Sequence, residues 1–293
     1  VVTVLALSAA LAYGIADFLG GTVTRRSTAI QALAWCVPIG LGVVLAAALL
    51  TGGSVSPGPM TWGFVAGLCG GAGLITFYRA LARGPMSVVA PVSALAAAVL
   101  PVAVGIAKGE RLDASVLLGV MLCLVAIGLV SMEAGDGEKA AGPRGGGWRR
   151  LLDSGPVMAG VSGTCFGAFF VLLKEAGDGT GLWPIVGARL GNLAVVVAAL
   201  LFLAFRGGDR GPRVSGRTLI VLALLSGSLD AGANVLYFLA VNNGMLSLAA
   251  VLTSLYPAIT VLLARIAYSE RLRAVQRVGM AVAVAGVALV TVG

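Results

Sequence analysis

Apolar stretches long enough to cross a bilayer alternate along this chain with short polar breaks. Ten of them can be delimited, with cores from Val2 to Gly20, Ile30 to Leu50, Met60 to Leu81, Ser87 to Ala107, Val116 to Met132, Val157 to Leu173, Trp183 to Phe205, Thr218 to Val241, Ser247 to Ala267 and Val275 to Val292. A hydrocarbon layer about 30 Å thick needs about 20 residues rising about 1.5 Å each. Backbone polar groups in hydrocarbon must be satisfied within the segment, and runs of this length do so as helices rather than barrel strands. The pattern therefore predicts an all-α integral membrane bundle of ten transmembrane helices.

The breaks are short except for Glu133 to Asp153, whose Gly, Lys, Arg and Glu content predicts a flexible charged linker near the midpoint. It separates a first five-helix repeat, 1–132, from a second, 154–293. Shifting the sequence by 160 residues aligns Gly67 with Gly227, Gly84 with Gly244, Ser87 with Ser247, Leu95 with Leu255 and Gly119 with Gly279. The same shift superposes Glu110-Arg111-Leu112 on Glu270-Arg271-Leu272. Charged residues are scarce here, so a coincident charged triplet between spans is a much stronger sign of duplication than apolar matches. A further match, Tyr13-Gly14 with Phe166-Gly167, brings in the first span of each half.

An odd number of spans per half makes the second half enter the membrane upside down relative to the first, and the loop charges agree. Arg25 and Arg26 follow the first span, whereas the equivalent loop has Lys174 offset by Glu175 and Asp178. Arg79 and Arg83 are matched by Asn242 and Asn243. The uncharged Thr51 to Pro59 loop is matched by one carrying Arg206, Arg210, Arg213 and Arg217. Lys108 and Arg111 are balanced by Glu110 and Asp113, while Arg271, Arg273 and Arg277 outnumber Glu270. Every pair of loops reverses its bias, which places both termini on the extracytoplasmic side of a bacterial cytoplasmic membrane. The start of the chain reads as the first span rather than a signal peptide, because no basic region precedes the Ala10-Leu11-Ala12 triplet.

Composition narrows the chemistry. The 293 residues are 59% hydrophobic and 11% charged, with no histidine. The net charge of +8 sits in inter-span clusters, which points to a membrane face and away from nucleic acid. Cys36, Cys69, Cys123 and Cys165 fall one each in four apolar runs without metal-ligand spacing, so they read as packing residues. No metal and no cofactor are expected. A membrane-embedded enzyme lacks a metal cluster, a Ser-His constellation or a spaced carboxylate pair. ATP as energy source lacks a GxxxxGK[ST] loop, and a channel lacks a repeated polar ring.

Several motifs give a family likeness. They are the opening Ala12-Tyr13-Gly14-Ile15-Ala16-Asp17-Phe18-Leu19-Gly20-Gly21, the stretch Tyr78-Arg79-Ala80-Leu81-Ala82 running into Gly84-Pro85-Met86-Ser87-Val88-Val89-Ala90-Pro91, and the pair Gly109-Glu110-Arg111-Leu112 and Ser269-Glu270-Arg271-Leu272. On these the chain resembles the drug/metabolite transporter superfamily, specifically its EamA branch, over nearly its whole length. The resemblance implies a ten-helix secondary transporter that moves a small metabolite or drug-like solute, and in many members both termini face the cytoplasm, opposite to the charge bias here.

Intramembrane polar residues are the candidates for carriage, since a charge at mid-span costs at least about 2.5 to 3.5 kcal/mol on insertion scales and needs a reason. Asp230 lies near the centre of the eighth span with Asn234 one turn on, reading as a proton or cation site or as a structural polar residue. Arg189 and Asn192 share a face of the seventh span at similar depth, and an Arg189–Asp230 pair reads as a structural pair or a substrate-operated switch. Asp17, part of the opening motif and near Arg25 and Arg26, is a further binding candidate, with marking the interfacial end of the first span the simpler role. Tyr13, Phe77, Tyr78, Tyr237 and Tyr256 are candidate cavity rings, with packing the simpler role. Small-residue rows at Gly63, Gly67 and Gly71, at Ala223, Gly227 and Ala231, and at Gly163 and Gly167 predict close helix seams. Pro91, Pro101 and Pro257 predict bends in the fourth and ninth spans.

The leading expectation is a secondary active transporter, an exporter by alternating access, coupled to protons or a counter-solute. The alternative is a lipid-linked carrier or flippase. The expected partners are a small-molecule solute and the bilayer, with the protein a monomer or homodimer.

Overall fold

Long apolar segments whose only way to satisfy their backbone is an internal ladder fold as helices, and in the computed structural model no strand occurs among the described residues. Those residues are 1–83, 86–110, 114–132, 155–177, 179–205, 214–268 and parts of 274–289, the last helical. The expected linker at 133–153 lies outside them.

The first half contributes α1 (Val2–Thr24), α2 (Ala29–Thr51), α3 (Pro57–Arg83), α4 (Met86–Ala107) and α5 (Ala114–Met132). The second contributes α6 (Gly155–Glu175), α7 (Trp183–Phe205), α8 (Arg217–Asn242), α9 (Leu246–Thr253) and α10 (Tyr256–Tyr268). Six of these, α1, α2, α3, α6, α7 and α8, are long and apolar enough to cross a membrane, and Val92–Ala107, Leu117–Ala126 and Leu246–Thr260 are shorter apolar helical stretches.

One sequence expectation is extended and one changes. The first span runs past its core, which ends at Gly20. α1 continues to Thr24 because the Thr22 and Thr24 hydroxyls bond back to the Phe18 and Gly21 carbonyls at 2.9 and 3.0 Å, so polar residues extend the helix without exposing bare donors. The ninth span is broken rather than bent. Pro257 has no amide hydrogen to give, the chain turns at Ser254 and Leu255, and α9 and α10 are separate helices.

Helices of the two halves interleave through seams of small residues. On α3, a Cβ at Gly63 would strike the Pro184 carbonyl of α7, one at Gly67 the Ala188 carbonyl, and one at Gly71 would lie 3.0 Å from Val195 Cβ. These contacts climb both helices together, so α3 and α7 run in the same direction. α2 and α8 do likewise: Cys36 Sγ donates to the Ala223 carbonyl at 3.2 Å, and Gly40 abuts Gly227 and Ala231. So do α4 and α6, with Gly163 against Ser93 and Ala96, and Gly167 against Ala97 and Leu100. Hydroxyls stitch across the same boundary. Ser162 Oγ donates to the Gly73 carbonyl at 2.9 Å, Ser226 Oγ to Ala16 at 2.8 Å and Thr260 Oγ1 to Gly14 at 3.1 Å.

One end of the bundle is tied by loop contacts. Glu110, from the Glu-Arg-Leu loop of the first half, accepts from the backbone amides of Leu246 and Ser247 at 2.6 and 3.1 Å and from Ser247 Oγ at 2.6 Å. A carboxylate at the start of α9 satisfies free amides and meets the positive end of the helix dipole. Lys174 Nζ donates to the Val241 carbonyl at 2.5 Å, Asn242 Nδ2 donates to the Gly177 carbonyl at 3.3 Å, and Lys108 pairs with Glu175. Gly53, at φ 112°, packs against the Thr180 carbonyl, a backbone approach that no side chain would permit.

Candidate functional site

Interleaving the helices of the two halves leaves a partly open central cavity. Its wall comes from Tyr13 and Asp17 on α1, Gly70 and Leu74 on α3, Ala97 on α4, Phe166, Phe169 and Phe170 on α6, Asn192 on α7, Asp230 and Asn234 on α8, and Tyr256 at the start of α10. Each of the pairs Tyr13/Asp17, Gly70/Leu74 and Asp230/Asn234 is spaced by four residues, which puts both members on one helical face.

The wall follows the internal repeat. The shift of 160 residues that aligns the halves carries Gly70 onto Asp230 and Leu74 onto Asn234, and all four face the cavity. The Tyr13–Phe166 match, a shift of 153, also carries Asp17 onto Phe170, and these four face it too. Equivalent positions of the two halves thus meet around one space, with polarity divided unequally between them.

Arg189 is 2% exposed and stands behind this wall. Its Nη1 donates to Asp230 Oδ2 at 2.5 Å, and Nη2 is buried with no hydrogen-bond partner among the described residues. A guanidinium is a planar fork suited to bidentate pairing, so a one-armed contact leaves half of it unsatisfied. Asn234 Nδ2 donates to the Asp230 carbonyl at 2.6 Å, holding the amide against its own helix. Asn192 Oδ1 is buried without a hydrogen bond, and the Tyr256 hydroxyl comes near Ser93 without completing one. Asp17 has no ion-pair or hydrogen-bond partner among the described residues, and the like charge of Asp230 acts on it. Tyr13 and Tyr256 pack ring to ring at 6.2 Å.

Of the residues singled out in the sequence, Asp230, Asn234, Asn192, Asp17, Tyr13 and Tyr256 line the cavity. Arg189 contacts it only through Asp230. For Asp17 only the interfacial alternative is set aside: α1 continues for seven residues beyond it, and Asp17 lines the cavity. Tyr78 and Tyr237 do not line the cavity. The Tyr78 hydroxyl lies 3.5 Å from Ser226 Oγ, and the Tyr237 hydroxyl donates to the Phe170 carbonyl at 3.4 Å while its ring packs on Phe170 at 4.3 Å. Phe77 packs edge-on to Phe166 at 5.9 Å. Sequence reasoning missed the α6 wall of Phe166, Phe169 and Phe170. The match of Tyr13-Gly14 with Phe166-Gly167 carried that signal, since a cavity candidate in one half nominates its equivalent in the other. Among the described residues no group of three or more His, Cys, Asp or Glu side chains is placed to hold a metal ion.

A bundle of apolar helices around a central polar and aromatic cavity defines a multi-pass membrane protein of the solute-handling kind. The EamA-like transporter family matches over residues 2–132 and again over 153–292, and the chain belongs to that family. Its members are membrane transporters of the drug/metabolite type, not enzymes, and the match gives no support to a lipid-linked carrier. A solved crystal structure of a protein superposes over 99% of this chain and 96% of its own, with a TM-score of 0.72 at 20% identity, a likeness of fold alone. No curated protein matches the chain.

Proposed function

We propose that the protein is a secondary active exporter of a small solute in a bacterial cytoplasmic membrane, working by alternating access between two inverted five-helix repeats. The observation that carries this reading is the cavity wall, in which repeat-equivalent pairs from both halves, Gly70 with Asp230 and Leu74 with Asn234, face one space. Two related halves around a shared site can exchange conformations, opening that site first to one face and then to the other. Inversion is supported by the parallel seams. Spans alternate in direction within each half, so the third helix of one half runs parallel to the second of the other only when the halves are opposed. α3 with α7 and α2 with α8 both do so. The arginines at positions 25, 26, 79, 206, 210, 213 and 217 then belong to one face, which the positive-inside rule makes cytoplasmic.

Coupling falls to the carboxylates. Asp230 is held by Arg189, so protonating it breaks an ion pair, whereas Asp17 is unpartnered among the described residues and can take and release a proton without that penalty. Asp17 is therefore the coupling residue of this reading, and Asp230–Arg189 the pair that shapes the site.

The experiment that tests this reading does not require the solute to be identified beforehand. Vesicles containing the full chain are loaded with a mixed pool of small metabolites, a proton gradient is imposed, and losses are followed by mass spectrometry. The expected result is gradient-driven depletion of a subset of solutes, lost in Asp17→Asn. Retention identical to protein-free vesicles contradicts transport, and undiminished gradient-driven loss in Asp17→Asn contradicts the coupling role.

A further inference from the structure

The charge and hydrogen-bonding capacity of the cavity wall specify a class of solute, an inference that rests on the transport reading above. Charges on or next to the wall are Asp17, Asp230 and Arg189. Arg189 neutralises Asp230, so Asp17 is left as the carboxyl group of the wall without a counter-charge among the described residues. Hydrogen-bonding capacity has the same sign. Asp17 offers a whole carboxylate, Asp230 has one oxygen outside its bond to Arg189, and Asn192 Oδ1 is a buried acceptor without a donor. Carboxylates and amide oxygens are acceptors that need donors brought to them, and an uncompensated charge at this depth calls for a counter-charge.

The wall is unfavourable to an anion. Among the described residues no basic side chain lines the cavity, and the Arg189 guanidinium is 2% exposed and turned to Asp230. An acidic solute would meet Asp17 as a like charge. The same wall carries the rings of Phe166, Phe169, Tyr13 and Tyr256, and aromatic rings attract cations at their faces and offer area to an apolar body.

We propose that the solute is a monovalent organic cation with an aromatic or cyclic apolar body. Its ammonium group pairs with Asp17, its ring lies against Phe166 and Phe169, and an N–H or O–H of the solute completes the bond that Asn192 Oδ1 lacks.

A charge series tests this directly. Calorimetric titration of the purified full chain in lipid nanodiscs compares amines, alcohols and carboxylates built on the same bodies: phenethylamine with phenethyl alcohol and phenylacetate, and tryptamine with indole-3-ethanol and indole-3-acetate. On at least one body the amine is expected to bind at least tenfold more tightly than both its neutral and anionic partners. Asp17→Asn is expected to abolish that preference, the amine then binding no more tightly than the alcohol, and Asp17→Glu to restore it. An alcohol or carboxylate binding as well as the amine on both bodies overturns the proposal, as does no amine binding on either, or full amine preference in Asp17→Asn. The wild-type series stands by itself if Asp17→Asn does not accumulate. A protein that empties vesicles of metabolites but shows no amine preference loses this inference and remains a transporter. One that binds amines tightly yet moves no solute keeps the site and loses the transport reading.

Discussion

Arg189 Nη1 lies 2.5 Å from Asp230 Oδ2, joining α7 to α8, and the two side chains differ in exposure, 2% against 22%. The cation is sealed and the carboxylate reaches the cavity. Removing one member of a buried pair strands the other, which typically costs about 3–5 kcal/mol, whereas replacing both with apolar groups of similar volume is often neutral. Arg189→Met is therefore expected to lower thermal stability in detergent strongly, and Arg189→Met with Asp230→Leu to recover most of the loss. Additive losses in the double variant would show that the two residues act independently.

The α3–α7 seam sets a second expectation. A Cβ at Gly67 collides with the Ala188 backbone, which cannot rotate away as a side chain can. Gly67→Ala is expected to lower stability by about 1–3 kcal/mol through overpacking. At Gly232 nothing stands within 4 Å of an added Cβ, so Gly232→Ala is expected to be neutral or stabilising by up to about 1 kcal/mol. Melting temperatures of the two variants, measured side by side, check the contrast.

Glu110 places the shared Glu-Arg-Leu motif in a structural task, since its carboxylate caps a helix of the opposite half through Leu246 and Ser247. Losing a charge-assisted cap costs about 1–2 kcal/mol. In Glu110→Ala, hydrogen exchange is expected to speed up at the amides of Leu246 and Ser247 while α2 keeps its protection. Unchanged exchange at both amides would remove the cap from the account.

Orientation is open to chemistry at two described loops. A cysteine replacing the exposed Ser54 is expected to react with a membrane-impermeant reagent from outside intact cells, and one replacing Arg26 only after the membrane is broken. The reverse pattern would overturn the positive-inside argument and agree with the cytoplasmic termini that the family resemblance implies.

The all-helical character, six long spans and the two-repeat organisation were legible because bilayer thickness imposes a run length and because charged residues are too rare here to coincide by chance. The seams were legible as rows of small residues, but their partners were not. That Gly67 meets Ala188 and Gly227 meets Cys36 depends on how the halves interleave, which no local pattern encodes. The interfacial reading of Asp17 looked the simpler for a definable reason: Gly20, Gly21, Thr22 and Thr24 look like the end of an apolar run, yet the threonine hydroxyls bond their own helix and let it continue. Pro257 signalled irregularity in the ninth span. The two helices that result bring Tyr256 to the cavity at the start of α10. The α6 phenylalanines were hidden because an aromatic in an apolar run looks the same whether it faces lipid, core or solute.

The central claim is that one cavity serves both faces of the membrane. It is tested most directly by replacing Leu74, on the cavity wall, with cysteine in a chain whose Cys36, Cys69, Cys123 and Cys165 have been changed to alanine, and reconstituting it in vesicles. An impermeant thiol reagent is then applied to one side at a time. The account predicts modification from each side, because the cavity opens to both in turn. Modification from one side only, under every solute and gradient condition, would contradict it.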